Sequence, residues 1–337
     1  MATTRAVHLL DRPHGAPSAE LFELVEFELP ALEPGQILVH NQLLSVDPYM
    51  RQLMDGSWPL REPLSRGRAI GVVAESTSAK FAAGDYVFHS GGWRSAVVLD
   101  EDTVGLRAFT PNPAVPLESY LSVLGGTGLT AYAGIKEILG VHEGDTVFLT
   151  SIAGGVGIAA AQFARALGAT TVIGTASSDA KVDFVVNTLG VDAAVNYRTG
   201  DLDEFLAKHA QDGLTATLDG VGGDQLESAI RASASHARIA LVGAISQYNN
   251  EGTPWRPPAN FEDLHFKSIT LRGYAVRDYG SLRVELEDWL IPKLVDGSVT
   301  DAVQVTDGFD HVIDAFLGML TSANIGKALV RVNAGGN

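Results

Sequence analysis

The chain has 337 residues, of which 46% are apolar and 19% charged, and it contains no cysteine. A chain of this length favours two packed domains, and the lack of cysteine excludes disulfides, thiolate nucleophiles, iron–sulfur clusters and cysteine-based zinc sites. The 24 basic and 40 acidic side chains give a net charge of −16, which disfavours nucleic acids and anionic membranes as partners.

The first 120 residues favour a β-rich module. The start of the chain lacks the apolar core of a secretory signal and no apolar run is long enough to cross a bilayer, so we expect a cytoplasmic protein. From Val25 to Ala108 the apolar residues come in short runs separated by Pro and Gly, a pattern typical of short β-strands. The nine histidines are scattered without metal-ligand spacing, so we expect no metal site.

Beyond Tyr120 the pattern changes to an alternation of strands and helices, which predicts a parallel, doubly wound α/β sheet. Strands are predicted at 145–150, 170–173, 193–196, 215–218, 238–242 and 268–272, and helices at 156–167, 181–189, 201–211, 224–232 and 282–294. A helix at 310–320 and a strand at 327–332 are predicted to return to the β module. The resulting domains are 1–120 with 300–337, and 121–299.

A glycine-rich turn, Ser151-Ile-Ala-Gly-Gly-Val-Gly157, separates the first of these strands from its helix. Glycine is needed where backbone approaches a pyrophosphate, and the helix N-terminus offers free N–H groups. The turn departs from Gly-x-Gly-x-x-Gly because Ile152 occupies the first glycine position. The alternative is that these glycines serve packing only, but the strand–helix setting favours a dinucleotide.

The end of the second strand indicates which dinucleotide is bound. NAD enzymes place an acid there to bind the ribose hydroxyls, whereas this chain reads Ile173-Gly-Thr-Ala-Ser-Ser178, with Asp179 in the first turn of the next helix. Lys181 and the pair Tyr197-Arg198 supply donors for a 2′-phosphate, so we predict NADPH. The alternative is that Lys181 and Arg198 are ordinary surface charges.

Seven short motifs carry a family resemblance. They are Ser45-Val-Asp-Pro-Tyr-Met-Arg51, Gly128-Leu-Thr-Ala-Tyr132, Ala153-Gly-Gly-Val-Gly157, Asn196-Tyr197, Asp219-Gly-Val-Gly-Gly223, Gly243-Ala-Ile-Ser-Gln-Tyr-Asn249 and Asn324-Ile-Gly-Lys327. In this order and spacing they resemble the zinc-free branch of the medium-chain dehydrogenase/reductase superfamily that contains prostaglandin/leukotriene reductases and alkenal double-bond reductases. The resemblance implies a GroES-like β-rich catalytic domain beside the Rossmann domain, and a homodimer.

The resemblance also implies cofactor contacts at matching positions. The implied NADPH-binding residues are Ala153, Gly154, Gly155, Val156, Gly157, Lys181, Tyr197, Arg198, Val242, Gly243, Ala244, Ile245, Ser246, Tyr248, Tyr274, Ala275, Val276 and Asn324. The chain departs from the family pattern at two places. Gly220 replaces an Asn, and Tyr274-Ala-Val276 replaces a Phe-Val-Val-like run, which leaves the substrate open. Gly67-Arg-Ala69 stands where zinc-dependent relatives carry Gly-His-Glu.

The implied reaction is NADPH-dependent reduction of the carbon–carbon double bond of an α,β-unsaturated aldehyde or ketone, a small-molecule substrate. It needs a donor for the developing enolate oxygen, and the candidates are Tyr248, which follows the fifth strand, and Tyr49. For Tyr49 the alternative is core packing with its hydroxyl bonded to backbone. The proton source remains open among Tyr248, the ribose hydroxyl and water. The alternative functions are quinone reduction with NADPH and NADPH binding without catalysis.

The segment from Ser246 to Glu262 contains three prolines, Pro254, Pro257 and Pro258. It is predicted to be a long irregular stretch that follows a core strand. Such stretches in compact domains are often functional.

Overall fold

The computed structural model describes residues 2–250 and 254–333. The irregular segment predicted at 246–262 includes residues 251–253, and the predicted first domain includes residue 1 and residues 334–337; these lie outside the described residues. The chain divides into two compact units. Of the described residues, the first unit comprises 2–121, 303–324 and 328–333, and the second comprises the rest of 122–302 together with 325–327.

The first unit is built on antiparallel strands. They are β1 Thr3–Leu9, β2 Phe22–Glu28, β3 Gln36–Ser45, β4 Ala69–Ser76, β5 Tyr86–His89, β6 Ala96–Asp100, β7 Arg107–Phe109, β14 Val303–Asp307 and β15 Lys327–Arg331. β1 and β2 form a two-stranded sheet, and the others form a sheet of order β14-β15-β3-β4-β5-β7 with β6 paired to β3. The helices are α1 Tyr49–Leu53 and α9 Val312–Leu320, with 3-10 turns at Ala19–Leu21, Leu117–Tyr120 and Phe309–His311.

An aromatic cluster explains why the C-terminal segment belongs to the first unit. The indoles of Trp58 and Trp93 are fully buried and meet edge to face with ring centroids 5.6 Å apart. Phe316 on α9 packs against Trp93 with centroids 5.3 Å apart. Burying such large apolar rings stabilises a domain strongly, with truncation to Ala costing about 3–5 kcal/mol each. Helix α9, near the C-terminus, therefore shares one hydrophobic core with the N-terminal part of the first unit.

The second unit contains a six-stranded parallel sheet of order β10-β9-β8-β11-β12-β13. Its strands are β8 Thr146–Leu149, β9 Thr171–Ala176, β10 Ala193–Asn196, β11 Leu214–Asp219, β12 Ser233–Leu241 and β13 Thr270–Gly273. Its α-helices are α2 Gly126–Tyr132, α3 Gly155–Ala166, α4 Asp179–Asp183, α5 Leu202–His209, α6 Gly223–Ala232, α7 Asp263–Phe266 and α8 Arg283–Val295. This strand order is that of a Rossmann fold, and the predicted fold class is confirmed.

Several element boundaries in the second unit differ from the sequence prediction, among them those of α4 and β12. A single helix was expected at 181–189, but α4 starts at Asp179 because the Ser178 side chain accepts a hydrogen bond from the Lys181 N–H, a standard N-terminal cap. The helix then continues as a π-helical turn, Phe184–Thr188. The fifth strand was expected from Arg238, whereas β12 begins at Ser233. A second π-helical turn, Ala133–Ile138, follows α2, and 3-10 turns lie at Ile245–Gln247 and Val276–Leu282.

None of the helices in the described ranges, 2–250 and 254–333, combines the length and apolar character that crossing a bilayer would require.

Candidate nucleotide-binding and active site

The glycines of the turn between β8 and α3 lie in two different surroundings. A Cβ on Gly157 would lie 2.6 Å from the Ile152 Cα and would also overlap the Ser151 carbonyl oxygen, so this position is glycine because helix and strand touch there. Gly154, Gly155 and Val156 are instead partly exposed. They start α3, whose first N–H groups have no acceptor within the helix. That end of α3 can receive an anion.

The turn is bordered by residues from distant parts of the chain. A Cβ on Gly155 would come within 3.0 Å of the Thr127 side chain and 3.2 Å of the Lys327 Cβ. The Gly326 N–H donates to the Ala153 carbonyl at 2.8 Å. A side chain on Gly155 would therefore press against Thr127 and Lys327, so the start of α3 packs closely against these two residues.

Basic groups lie at the ends of β9 and β10, where the sequence predicted them. Lys181 is only 9% exposed, and burial, with a further contribution from the charge of Arg198, lowers the pKa of its ammonium. The Asp179 carboxylate, at the start of α4, accepts from the Asn196 amide at 2.8 Å. Two neighbouring cations repel one another, and a bound dianion would relieve that repulsion.

Tyr197 and Arg198 are on the surface beside these groups. The ring of Tyr197 is 38% exposed, and the Arg198 guanidinium lies 5.9 Å from its centroid. The pair therefore offers a flat aromatic face and a cation at the strand end next to the one that Lys181 follows.

Asp219, at the end of β11, is a buried acid that the sequence prediction did not include among the site residues. It is fully buried, and its carboxylate accepts from the Thr150 hydroxyl at 2.8 Å and from the backbone N–H groups of Val221 and Gly222. Burial outweighs these hydrogen bonds and raises the pKa of Asp219. A sequence signal existed: the acid begins the motif Asp219-Gly-Val-Gly-Gly223, immediately after a buried strand.

The turn after β11 is joined to its neighbours on both sides. Thr150, which precedes the glycine turn, accepts from the Gly220 N–H at 2.9 Å. On the other side the N–H groups of Ile245 and Ser246 donate to the carbonyls of Gly220 and Val221 at 3.0 and 3.2 Å. The chain ends of β8, β11 and β12 thus form one hydrogen-bonded platform at the carboxyl edge of the sheet, where doubly wound folds bind their ligands.

Tyr248 lies on this platform. Its hydroxyl oxygen accepts from the Ala244 N–H at 3.3 Å and would lie 2.8 Å from a Cβ on Gly243. Accepting that bond does not use the hydroxyl proton, which is left for another acceptor. Burial is the main reason that the pKa of Tyr248 is raised, so the phenol is protonated at neutral pH.

Two other tyrosines of the predicted set have hydroxyls that already donate. Tyr49, in the first unit, donates to the Arg66 carbonyl at 2.8 Å. Tyr274 follows β13 and donates to the Thr130 carbonyl at 2.7 Å. Burial raises the pKa of both. Each proton is therefore committed to a backbone acceptor, whereas the Tyr248 proton is not used by the bond to Ala244.

The remaining predicted residues divide between the two units. Val242 to Ser246 belong to the platform, since the Val242 N–H donates to the Asp219 carbonyl at 2.8 Å. Ala275 and Val276 follow Tyr274 in the second unit. Asn324 lies in the first unit. The structure therefore joins the predicted residues that follow β8 and β12 by hydrogen bonds through the turn after β11, and it places the predicted basic residues after β9 and β10.

Comparison with known proteins decides the family. The family models described as "N-terminal domain of oxidoreductase" and "Zinc-binding dehydrogenase" match residues 5–105 and 155–292. Prostaglandin reductase 1 of Bos taurus is 35% identical over 94% of this chain and 95% of its own. The chain belongs to the medium-chain dehydrogenase/reductase family. It is an oxidoreductase of that family, and the predicted resemblance is confirmed.

Two further members of the family are similar along most of their length. The 2-alkenal reductase (NADP(+)-dependent) of Nicotiana tabacum is 34% identical over 89% of this chain and 88% of its own. The crystal structure of CurA in complex with NADPH from Vibrio vulnificus superposes with a TM-score of 0.88, 31% identity and coverage of 98% and 99%. Within residues 2–250 and 254–333 of the chain described here, no three His, Asp or Glu side chains lie close enough together to hold a metal ion.

Proposed function

We propose that this oxidoreductase uses NADPH to reduce the carbon–carbon double bond of an α,β-unsaturated aldehyde or ketone. The observation that carries the proposal is the Tyr248 hydroxyl, which accepts from backbone and keeps its proton for a ligand on the platform that continues from the glycine turn. The relatives named as a prostaglandin reductase and a 2-alkenal reductase support this substrate class.

The residues at the carboxyl edge of the sheet fit an NADPH molecule. Gly154 and Gly155, which are partly exposed, would hold the pyrophosphate at the start of α3, where the first N–H groups have no acceptor within the helix. Lys181 and Arg198 would hold the 2′-phosphate. When bound, NADPH supplies the hydride that the β carbon of the acceptor receives.

The protein's own contribution to the chemistry is stabilisation of charge at the carbonyl oxygen. As the β carbon gains a hydride, negative charge develops on that oxygen to give an enolate. A Tyr248 O–H aimed at the oxygen stabilises this charge more than the neutral carbonyl, which is the condition for catalysis. The raised pKa of Tyr248 keeps the donor protonated while the charge develops. A proton added at the α carbon completes the saturated product.

The test is consumption of NADPH with a panel of enals, enones and quinones, followed by identification of the product. We expect one NADPH to be oxidised for each saturated aldehyde or ketone formed. Turnover restricted to quinones would replace this proposal with quinone reduction. NADPH binding without turnover of any member of the panel would make the protein a non-catalytic binder.

Replacing Lys181 is expected to reduce the preference for NADPH over NADH. Charge-assisted hydrogen bonds contribute about 1.5–3 kcal/mol each, so Lys181→Ala should lower the ratio of kcat/KM for NADPH to that for NADH by roughly ten- to a hundredfold. Lys208→Ala, at an exposed position on α5, is the matched control and should leave the ratio unchanged. An unchanged ratio in the Lys181 variant would assign the 2′-phosphate to other residues.

A further inference from the structure

A half-exposed tryptophan lies beside the proposed catalytic phenol. The residue Trp255 is 50% exposed, and its ring centroid lies 6.1 Å from that of Tyr248 with the two ring planes tilted by 34°. This separation is within the range of favourable aromatic pairs. Trp58 and Trp93, by contrast, are fully buried. Trp255 thus extends the aromatic surface of Tyr248 by one ring and keeps half of its own surface open.

The segment that carries Trp255 is fastened to the platform. The Arg256 N–H donates to the Gln247 side-chain oxygen at 2.6 Å, and the Gln247 amide donates back to the Arg256 carbonyl at 3.3 Å. Gln247 is itself buried and immediately precedes Tyr248. The residue after Trp255 is therefore held by the residue before Tyr248, which keeps the backbones that carry the two rings next to each other.

A second set of contacts fastens the same segment to α6. The Arg256 guanidinium lies 2.8 Å from the Asp224 carboxylate and 3.3 Å from that of Glu227. The Glu227 carboxylate also accepts from the Ala259 N–H at 2.9 Å. Pro257 and Pro258, which lie between these contacts, restrict the backbone further. The backbone that carries the indole is thus held on both sides of the platform, so less of its ordering cost remains to be met when a ligand binds.

We propose that Trp255 is a specificity-determining residue of this site, one that stacks on an aryl group attached to the β carbon of the acceptor. This inference rests on the proposed function, since it places the acceptor's carbonyl oxygen at Tyr248. An acceptor of the cinnamaldehyde type is planar from its carbonyl through its aryl ring, so it can lie along two adjacent aromatic rings. A short acceptor such as but-2-enal has no ring and gains nothing from Trp255.

The experiment compares cinnamaldehyde with but-2-enal in the full-length protein with NADPH. For Trp255→Ala we expect kcat/KM for cinnamaldehyde to fall roughly tenfold, mainly through KM, and that for but-2-enal to stay within about twofold. Trp255→Phe keeps a ring and should retain most of the preference. Phe266→Ala is the matched control, because Phe266 is 74% exposed on α7, and it should change neither value.

The outcomes separate this inference from the proposed function. If the wild-type protein reduces neither aldehyde, the proposed function fails. If it forms both saturated aldehydes but Trp255→Ala leaves the ratio of the two kcat/KM values unchanged, the specificity role of Trp255 is wrong and the function stands. An equal loss for both substrates would also overturn the role, since it would mean that Trp255 only supports Tyr248. If the Ala variant does not fold, an unchanged ratio in Arg256→Ala, which loosens the segment, would overturn the role in the same way.

Discussion

Tyr248→Phe is expected to lower kcat for enal reduction by about 10²–10³-fold, the usual loss when one donor to a developing oxyanion is removed. NADPH affinity should stay within about twofold, because the ring and its contact with Trp255 are kept. The phenol is the group whose proton is left free by its bond to Ala244, so the loss should appear in kcat rather than in cofactor binding. Steady-state kinetics and a fluorescence titration with NADPH measure the two effects.

Tyr49→Phe is the matched comparison for this result. The Tyr49 hydroxyl donates to the Arg66 carbonyl, so its removal should cost stability of roughly 1 kcal/mol and a much smaller part of kcat. A Tyr248 variant with wild-type kcat would exclude the phenol from the reaction. A larger kcat loss in the Tyr49 variant than in the Tyr248 variant would transfer the role to Tyr49.

Asp219→Ala is expected to lower the free energy of unfolding of the second unit by about 3 kcal/mol or more. The change leaves the Thr150 hydroxyl and the N–H groups of Val221 and Gly222 without their buried acceptor, and each unsatisfied buried donor costs about 1–3 kcal/mol. Asp219 holds the turn of residues 220–222, and that turn is hydrogen-bonded to the 242–248 segment. NADPH affinity should therefore fall as well. Urea unfolding and NADPH titration check the two expectations.

Thr150→Val provides the graded control for Asp219. It removes one of the donors to the carboxylate and the acceptor for the Gly220 N–H, but keeps the bonds from Asp219 to Val221 and Gly222. The expected destabilisation is about 1–2 kcal/mol, smaller than that of Asp219→Ala. Equal urea midpoints for the wild type and Asp219→Ala would show that the carboxylate does not organise the turn.

The Rossmann sheet could be predicted from sequence because its signal is local. Each buried parallel strand is a short apolar run bounded by turn residues, as at Thr146–Leu149. In each helix the apolar residues recur at the helical spacing. The predicted ends of helices and strands were less accurate where a single side chain determines them. Ser178 starts α4 earlier than the apolar period indicates, because a hydrogen-bonded cap, rather than the buried face, begins that helix.

The candidate site was predicted in part, and the missing part has a physical cause. Glycines at a strand–helix junction and cations near a strand end leave a signature over a few residues, so the glycine turn and Lys181 could be proposed from sequence. Asp219 and Trp255 could not be assigned roles in the same way. The role of Asp219 depends on a hydrogen-bond donor from another segment, Thr150. The position of Trp255 beside Tyr248 depends on contacts of the next residue, Arg256, with Gln247 and α6.

By itself the sequence determined the fold class, the family and the position of the glycine turn, because apolar periodicity and short motifs encode backbone geometry locally. Only the tertiary structure decided which of these three tyrosine hydroxyls donates to a backbone carbonyl and which accepts from a backbone N–H. Tyr49 and Tyr274 donate to the carbonyls of Arg66 and Thr130, whereas Tyr248 accepts from Ala244. The direction of a hydrogen bond depends on which partner the fold brings within 3 Å or so, and that partner is distant in the chain for Tyr49 and Tyr274.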